Sequence, residues 1–195
     1  MLTLSRINTG LVILIIAING YLLVTPFYPR LHLWWETHVN HQQQQLENVV
    51  KTHQSPTKSS PPVPAGEWLV IPKLALHTPI FEGQNIYTAN KGVWHRPQSS
   101  NPETDSNTVL VGHRFTYTNP TGIFYSLDKL TTGDQIALWW NGKQYTYTVS
   151  QTRIVPPTEL SVEAPSTDAR LTLYTCTPLW SAKNRLVVTA TRNTP

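Results

Sequence analysis

Few side chains in this 195-residue chain are suited to covalent chemistry. The only cysteine, Cys176, ends the run Thr172-Leu173-Tyr174-Thr175-Cys176. His113 stands in Val111-Gly112-His113-Arg114, just past an apolar run, and Arg185 opens Arg185-Leu186-Val187-Val188. A free thiol has a pKa of ~8.5, so a few per cent is thiolate at neutral pH, already a strong nucleophile. A histidine can protonate a leaving amine and later take a proton from an incoming nucleophile. An arginine keeps its charge and can face a tetrahedral oxyanion or hold a substrate backbone. The three types fit acyl transfer through a thioester. Types alone do not single them out, because a lone cysteine also reads as a small buried hydrophobe and His113 is one of seven histidines.

Three strand ends must meet for these side chains to act together. From Glu67 onward the chain reads as short β-type runs divided by turn signals. They are Trp68–Ile71, Thr78–Phe81 with Pro79 marking an edge, Thr108–Val111, Ile136–Trp140, Lys143–Val149, Leu171–Thr175 and Arg185–Thr191. Asn141-Gly142, between two of these runs, is the signature of a type I′ hairpin turn, since both positions need positive φ. Ile123–Leu127 and Thr158–Val162 are predicted to form short helices. Seven or eight closely spaced strands indicate a closed barrel or a sandwich, and about 129 residues bury an adequate core without disulfides. Alternation puts Leu171, Leu173 and Thr175 on one face of their strand and Thr172, Tyr174 and Cys176 on the other. The thiol thus need not share the face of the core leucines.

The first 66 residues differ in character. Leu11–Tyr28 is an uncharged, mostly apolar run of 18 residues, ~27 Å as a helix, enough to cross the hydrocarbon core. No good cleavage site follows it, which favours an uncleaved anchor over 1–30 rather than a removed signal. Trp34 and Trp35 fall where an interfacial aromatic belt would lie. Residues 55–66, SPTKSSPPVPAG, read as an extended spacer, completing a stalk over 31–66 that holds the 67–195 domain away from the membrane. The net charge of +4 is spread evenly, four basic and two acidic groups in 1–66 against eleven and nine in 67–195, which disfavours a nucleic-acid binder. One cysteine excludes an internal disulfide, and no CxxC or His/Cys cluster offers a metal site.

The three motifs together resemble the sortase family of cysteine transpeptidases. The family's TLxTC hallmark is complete as Thr172-Leu173-Tyr174-Thr175-Cys176. Its histidine lies in a Gly-His pair, here Gly112-His113, and its arginine lies shortly after the cysteine, here Arg185, nine residues on. Further similarity runs through Leu69-Val70-Ile71-Pro72-Lys73, Gly92-Val93-Trp94-His95-Arg96-Pro97, Leu127-Asp128-Lys129-Leu130 and Gly133-Asp134, covering essentially all of 67–195. The short interval from Cys176 to Arg185 looks like class D and E sortases. The resemblance implies an all-β fold, a closed eight-stranded barrel with short helices behind an N-terminal transmembrane helix. It implies Cys176 as nucleophile, His113 as acid/base, Arg185 as oxyanion and substrate clamp, and Thr175 as a substrate-binding residue, with no cofactor or metal.

The implied reaction cleaves an LPxTG- or LAxTG-like sorting signal between Thr and Gly. The acyl group then passes to an amine on a peptidoglycan precursor or a pilin lysine, at the outer membrane surface of a Gram-positive cell. The bulky Tyr174 at the variable position, and the lack of a clear counterpart to the acidic calcium-binding loop of some class A members, depart from the pattern.

Other cysteine enzymes fit less well. Papain-like hydrolases place Cys before His, and L,D-transpeptidases have His, Gly and Cys contiguous. A noncatalytic, membrane-tethered β-domain is the alternative of a different class. Among the remaining residues, His95 reads as a surface or turn histidine, Arg114 as a surface or supporting cation, Thr172 as a β-former, and Trp139-Trp140 as strand packing with one ring on each face.

Overall fold

The β-branched and aromatic runs of the second half pair with one another until no sheet edge is left. In the computed structural model, residues 4–24, 65–116, 118 and 120–193 are described. Eight strands follow in chain order: β1 (Trp68–Ile71), β2 (Leu76–Phe81), β3 (Val93–His95), β4 (Asn107–Val111), β5 (Gln135–Trp140), β6 (Lys143–Val155), β7 (Arg170–Thr177) and β8 (Asn184–Arg192). They close into a barrel in the order β1-β2-β3-β4-β7-β8-β6-β5. The β2–β3 and β4–β7 pairs are parallel and the others antiparallel. Full closure removes the exposed edges that would invite pairing with other chains.

Alternation fills the interior. Leu69, Ile71, Leu110, Ile136, Leu138, Trp140, Leu171, Leu173, Leu186 and Val188 join in one buried core, with Phe124, Leu127 and Leu130 closing one end. Trp139 packs outside with Val70 and Ala137, so the tandem tryptophans do point to opposite faces. The Asn141-Gly142 turn has φ of 48° and 74°, the positive pair its sequence requires. Strand β6 outruns its expected length. A register shift between Val149 and Gln151 accompanies its transfer from β5 to β8, and it continues to Val155.

Strand β3 is an addition to the expected runs. It pairs with β2 only through Ile80–Val93 and Phe81–Trp94, too short a stretch for alternation to mark. The expected short helices shrink to 3₁₀ turns at Leu127–Lys129 and Leu160–Glu163, with further turns at Pro72–Leu74 and Ile86–Asn90.

The chain divides into two compact units, Met1–Asn40 and His41–Pro195. In the first, helix α1 (Leu4–Val24) contains most of the expected apolar span, but no helix among the described residues is long and apolar enough to cross a membrane. Asn19 within it turns its amide back on the Ile15 carbonyl at 2.8 Å. The expected span's last four residues and the stalk features (Trp34, Trp35 and the Pro-rich spacer) lie outside the described residues.

Candidate active site

Register brings the thiol and the guanidinium together. Cys176 and Arg185 are direct partners in the antiparallel β7–β8 ladder, so their side chains leave the same face. That face is the outer one, since Leu173 and Leu186 of the same strands belong to the core. Arg185 gives hydrogen bonds through one terminal nitrogen, Nη1, to the carbonyls of Ala182 and Asn184 at 3.2 and 3.1 Å. Its other guanidinium nitrogens donate to none of the described residues, leaving part of the fork open.

His113 reaches the same strand end by a different route. Strand β4 runs parallel to β7 with Val111 level with Tyr174, so extending that register by two residues puts His113 level with Cys176. Two bonds hold the extension in place: Gly112 N–H donates to the Tyr174 carbonyl at 3.4 Å, and the Thr175 hydroxyl donates to the Gly112 carbonyl at 2.7 Å. The chain then folds back over the histidine backbone. Gly122 N–H donates to the Arg114 carbonyl and Phe124 N–H to the His113 carbonyl, each at 3.0 Å. Two glycines permit this. A Cβ on Gly122 would lie 2.2 Å from the His113 carbonyl oxygen, and one on Gly112 would lie 2.6 and 2.8 Å from Ile123 and Phe124 side-chain atoms.

The imidazole of His113 is half-buried, with Nε2 2.9 Å from Asn90 Oδ1. A carbonyl oxygen only accepts, so Nε2 carries the hydrogen and Nδ1 is the nitrogen left to gain and lose a proton. Burial holds the imidazole pKa below its usual value, which favours the neutral ring at pH 7. The arrangement thus presents a thiol, an imidazole with one free nitrogen and a partly unengaged guanidinium at one strand end. Among the described residues no cluster of three or more His, Cys, Asp or Glu is placed to hold a metal.

Other expectations meet the structure differently. Thr175 is 1% exposed and faces the core side, its hydroxyl engaged by Gly112, so it positions the His113 turn from below rather than opening toward a ligand. Of the two readings of Arg114, the supporting cation holds and the surface one does not: it is 7% exposed, with Asp128 at 2.8 Å, the Thr177 hydroxyl at 2.8 Å and the Tyr125 carbonyl at 3.3 Å. It joins the segment after His113 to the one after Cys176. His95 is no surface histidine either. It is buried against Trp140, with Nδ1 2.7 Å from Glu82 and Nε2 3.0 Å from the Ser100 carbonyl. Thr172 is buried with its hydroxyl on Asn107 Oδ1.

Sequence reasoning misses Asn90, Gly122 and the Phe115–Trp180 pair. The rings of that pair lie 5.1 Å apart and link the segments that follow His113 and Cys176. Only the glycine leaves a trace, as a small residue in a loop that returns to a strand end.

An outward-facing thiol, imidazole and guanidinium at one end of a closed eight-stranded barrel form a set chemically able to carry acyl transfer through the thiol. The family model described as the sortase domain matches residues 69–193, and the chain belongs to the sortase family. It is 34% identical over 111 residues to sortase D of Bacillus subtilis (strain 168), a stretch that is 56% of this chain and 53% of that protein. It is 30% identical over 108 residues to sortase A of Listeria monocytogenes, which is 55% of this chain and 47% of that one. The matched region therefore spans about half the length of these relatives. Among solved structures, sortase E1 from Streptomyces coelicolor, crystallised with a tripeptide in its active site, superposes with a TM-score of 0.58 at 28% identity, covering 68% of this chain and 90% of that one.

Proposed function

We propose that this chain is a membrane-held transpeptidase acting on secreted proteins that end in an LPxTG- or LAxTG-like signal. His113, neutral at rest, takes the Cys176 thiol proton as the thiolate attacks the carbonyl carbon of the signal's Thr, and Arg185 faces the oxyanion that forms. Protonated His113 gives its proton to the departing Gly amine as the C–N bond breaks, leaving a thioester on Cys176. An amine from a peptidoglycan precursor or a pilin lysine then attacks the thioester. His113 takes its proton, and the Cys176 thiolate departs. One observation carries this reading: Cys176 and Arg185 are direct ladder partners on the outer face, at the strand end where Thr175 ties down the turn bearing His113.

In this reading residues 1–30 anchor the chain, 31–66 form the stalk and 67–195 carry the chemistry. The apolar side chains of Leu11 through Ile16 and of Ile18, exposed along α1, support attachment to the membrane. Protease added to protoplasts should remove the 67–195 region while sparing a short N-terminal fragment. Protection of that region, or its release free of the cell, would overturn the topology. For the chemistry, wild type should cleave LPxTG or LAxTG peptides and form a mass-detectable acyl adduct, both lost in Cys176→Ala. Turnover in Cys176→Ala near that of wild type would overturn the nucleophile assignment.

A further inference from the structure

Strand direction sorts the barrel into two ends. Strand β7 rises to Cys176 and β8 starts beside it at Arg185, so the connections after β1, before β3, after β4, after β6 and after β7 meet at the thiol end. The chain enters the barrel at the other end, where Trp68 is level with Trp139 beside the Asn141-Gly142 turn. Outside α1, the large apolar side chains exposed among the described residues are Ile86, Tyr87, Ile154, Leu160 and Trp180, each between 55% and 74% exposed. All five stand at the thiol end. Ile86 and Tyr87 open the turn whose Asn90 meets His113, and Ile154, next to last in β6, is level with Leu186. Leu160 follows in the next turn, and Trp180 lies in the β7–β8 connection against Phe115. Exposed apolar groups scattered singly are ordinary, but their collection at one end marks a contact surface. The Trp180 backbone has a φ of 70°, a region costly for a bulky residue, and still leaves the indole 61% exposed.

Charge is sorted the same way. At the thiol end Lys73 pairs with Asp134, Arg114 with Asp128 and, lower down, Arg96 with Glu163. Lys91, Lys129, Arg153 and Lys183 are exposed there, and none has a salt bridge among the described residues. Among those residues, the acidic side chain of that end outside the pairs is Glu159, which accepts the Ser161 hydroxyl. At the opposite end Arg170 pairs with Asp168 and Arg192 with Asp105, leaving Glu67 and Glu103 against Lys143. The even charge of the sequence thus folds into a cationic thiol end and a slightly acidic far end. Tyr and Trp rings with aliphatic side chains, set among unpaired Lys and Arg, are the composition of a surface that sits in the headgroup layer of an anionic bilayer.

We infer that the thiol end of the barrel rests on an anionic bilayer, with Ile86, Tyr87, Ile154, Leu160 and Trp180 entering the headgroup layer and Lys91, Lys129, Arg153 and Lys183 facing its phosphates. The contact rests on the membrane-held reading above and not on the chemistry assigned to Cys176. The apolar side chains exposed on α1 favour a bilayer over a protein as the occupant, since they would hold the whole chain at one. Entry of the chain at the far end is no obstacle. A run of 36 residues, the length of 31–66, can reach ~120 Å when extended, against ~43 Å for β6, the longest strand. Cys176 leaves the side wall of the barrel and not its tip, so contact through the tip keeps the thiol open to a peptide lying along the lipid surface.

The test places the full chain in vesicles of phosphatidylcholine with about one-third phosphatidylglycerol, and in vesicles of phosphatidylcholine alone. Amide exchange at 86–90 and 178–183 should be about 5-fold slower in the anionic vesicles, with the 141–142 turn unchanged. With brominated acyl chains, the Trp180 emission should fall by about half, read as the difference between wild type and Trp180→Phe so that the other six indoles cancel. The double variant Lys129→Glu/Lys183→Glu should lose the dependence on phosphatidylglycerol. Ile86→Ser/Tyr87→Ser should speed exchange at 88–90 back to the neutral-vesicle rate. In both variants β7 and β8 amides should stay as protected as in wild type. Flotation of the chain with the vesicles, but with equal exchange in both lipids and an unquenched Trp180, would overturn the contact face and leave membrane attachment standing. A chain that floats with neither vesicle would overturn the membrane-held reading and the contact face with it. Slower exchange that follows the density of protein on the vesicle, rather than its phosphatidylglycerol content, would assign the face to a second copy of the chain and overturn lipid as its occupant.

Discussion

Two His-Arg dipeptides leave adjacent strands in opposite directions from the Trp94–Val111 pair, and the fold uses them in opposite ways. In His95-Arg96, at the end of β3, both side chains are engaged. The imidazole has a partner at each nitrogen, and the guanidinium grips Glu163. In His113-Arg114, past the end of β4, the arginine is buried on Asp128 and Thr177, but the imidazole has one nitrogen on Asn90 and the other without a partner among the described residues. A histidine held at both nitrogens is a structural cross-link, whereas one oriented by a single acceptor keeps a site for a moving proton. Arg185 shows the same contrast with Arg114, since only one of its nitrogens is engaged. Partnering separates the groups available for chemistry from those that hold the barrel together.

The sharpest way to break this comparison is to truncate each histidine. His113→Ala is expected to lower kcat/KM by at least ~100-fold with little change in stability. His95→Ala should leave kcat/KM within a few-fold and lower stability by about 1–2 kcal/mol, through its lost hydrogen bonds and its contact with Trp140. Peptide cleavage and denaturant melts on both variants check the pair, and an equal activity loss in His95→Ala would reverse the assignment. Arg185→Ala should also lose ~100-fold, and Arg185→Lys should not rescue it, since an ammonium lacks the planar fork. Full activity in Arg185→Lys would mean that charge alone suffices.

A smaller effect sharpens the comparison between arginines. Arg114→Ala removes a buried cation from three partners, but Asp128 is half-exposed and can be rehydrated, so the expected cost is about 2 kcal/mol rather than the larger penalty of a stranded buried charge. Activity, measured well below the melting temperature, should fall less than in His113→Ala, because Arg114 acts by joining the segments after His113 and Cys176. A stability within error of wild type would show that its three contacts contribute nothing.

The legible and illegible parts of this molecule divide by distance along the chain. Cys176 and Arg185 are joined by one short connection, so alternation and motif spacing are enough to place both at a strand end. The Asn141-Gly142 turn is legible for the same reason, its conformation being decided by the two residues in it. His95 reads as a surface or turn histidine and Arg114 as a surface or supporting cation, because their types favour water and nothing local marks their burial. The partners that make burial tolerable lie far off: Glu82 is thirteen residues before His95, and Thr177 is sixty-three after Arg114. Asn90 and Gly122 matter only because tertiary packing brings an amide to the ring of His113 and a backbone against its carbonyl. Strand β3 is illegible because three residues give alternation too little length to register. The proposed anchor stands apart, since the apolar composition of Leu11–Tyr28 is plain in the sequence while no helix among the described residues is long and apolar enough to cross a membrane.

The smallest expected effect is a titration, and it tests the availability of His113 directly. Burial lowers the pKa of this ring from its ordinary ~6.5, so near pH 6 the folded chain binds fewer protons at this site than the unfolded chain does. Stability contributed by the site therefore rises with pH: it is fully present above ~6.5 and is lost as the pH falls through the unfolded and then the folded value. His77 on β2 shifts the same way through its own burial, so a bulk melt sums the two and a site-resolved measurement is required. The His113 ring resonances should titrate with a midpoint below 6.5, and His113→Gln should remove part of the acid-side loss of stability while leaving the His77 titration in place. A His113 midpoint at or above 6.5 would mean that the ring is solvated or charge-paired. The neutral imidazole with a free Nδ1, on which the contrast with His95 depends, would then no longer describe the resting site.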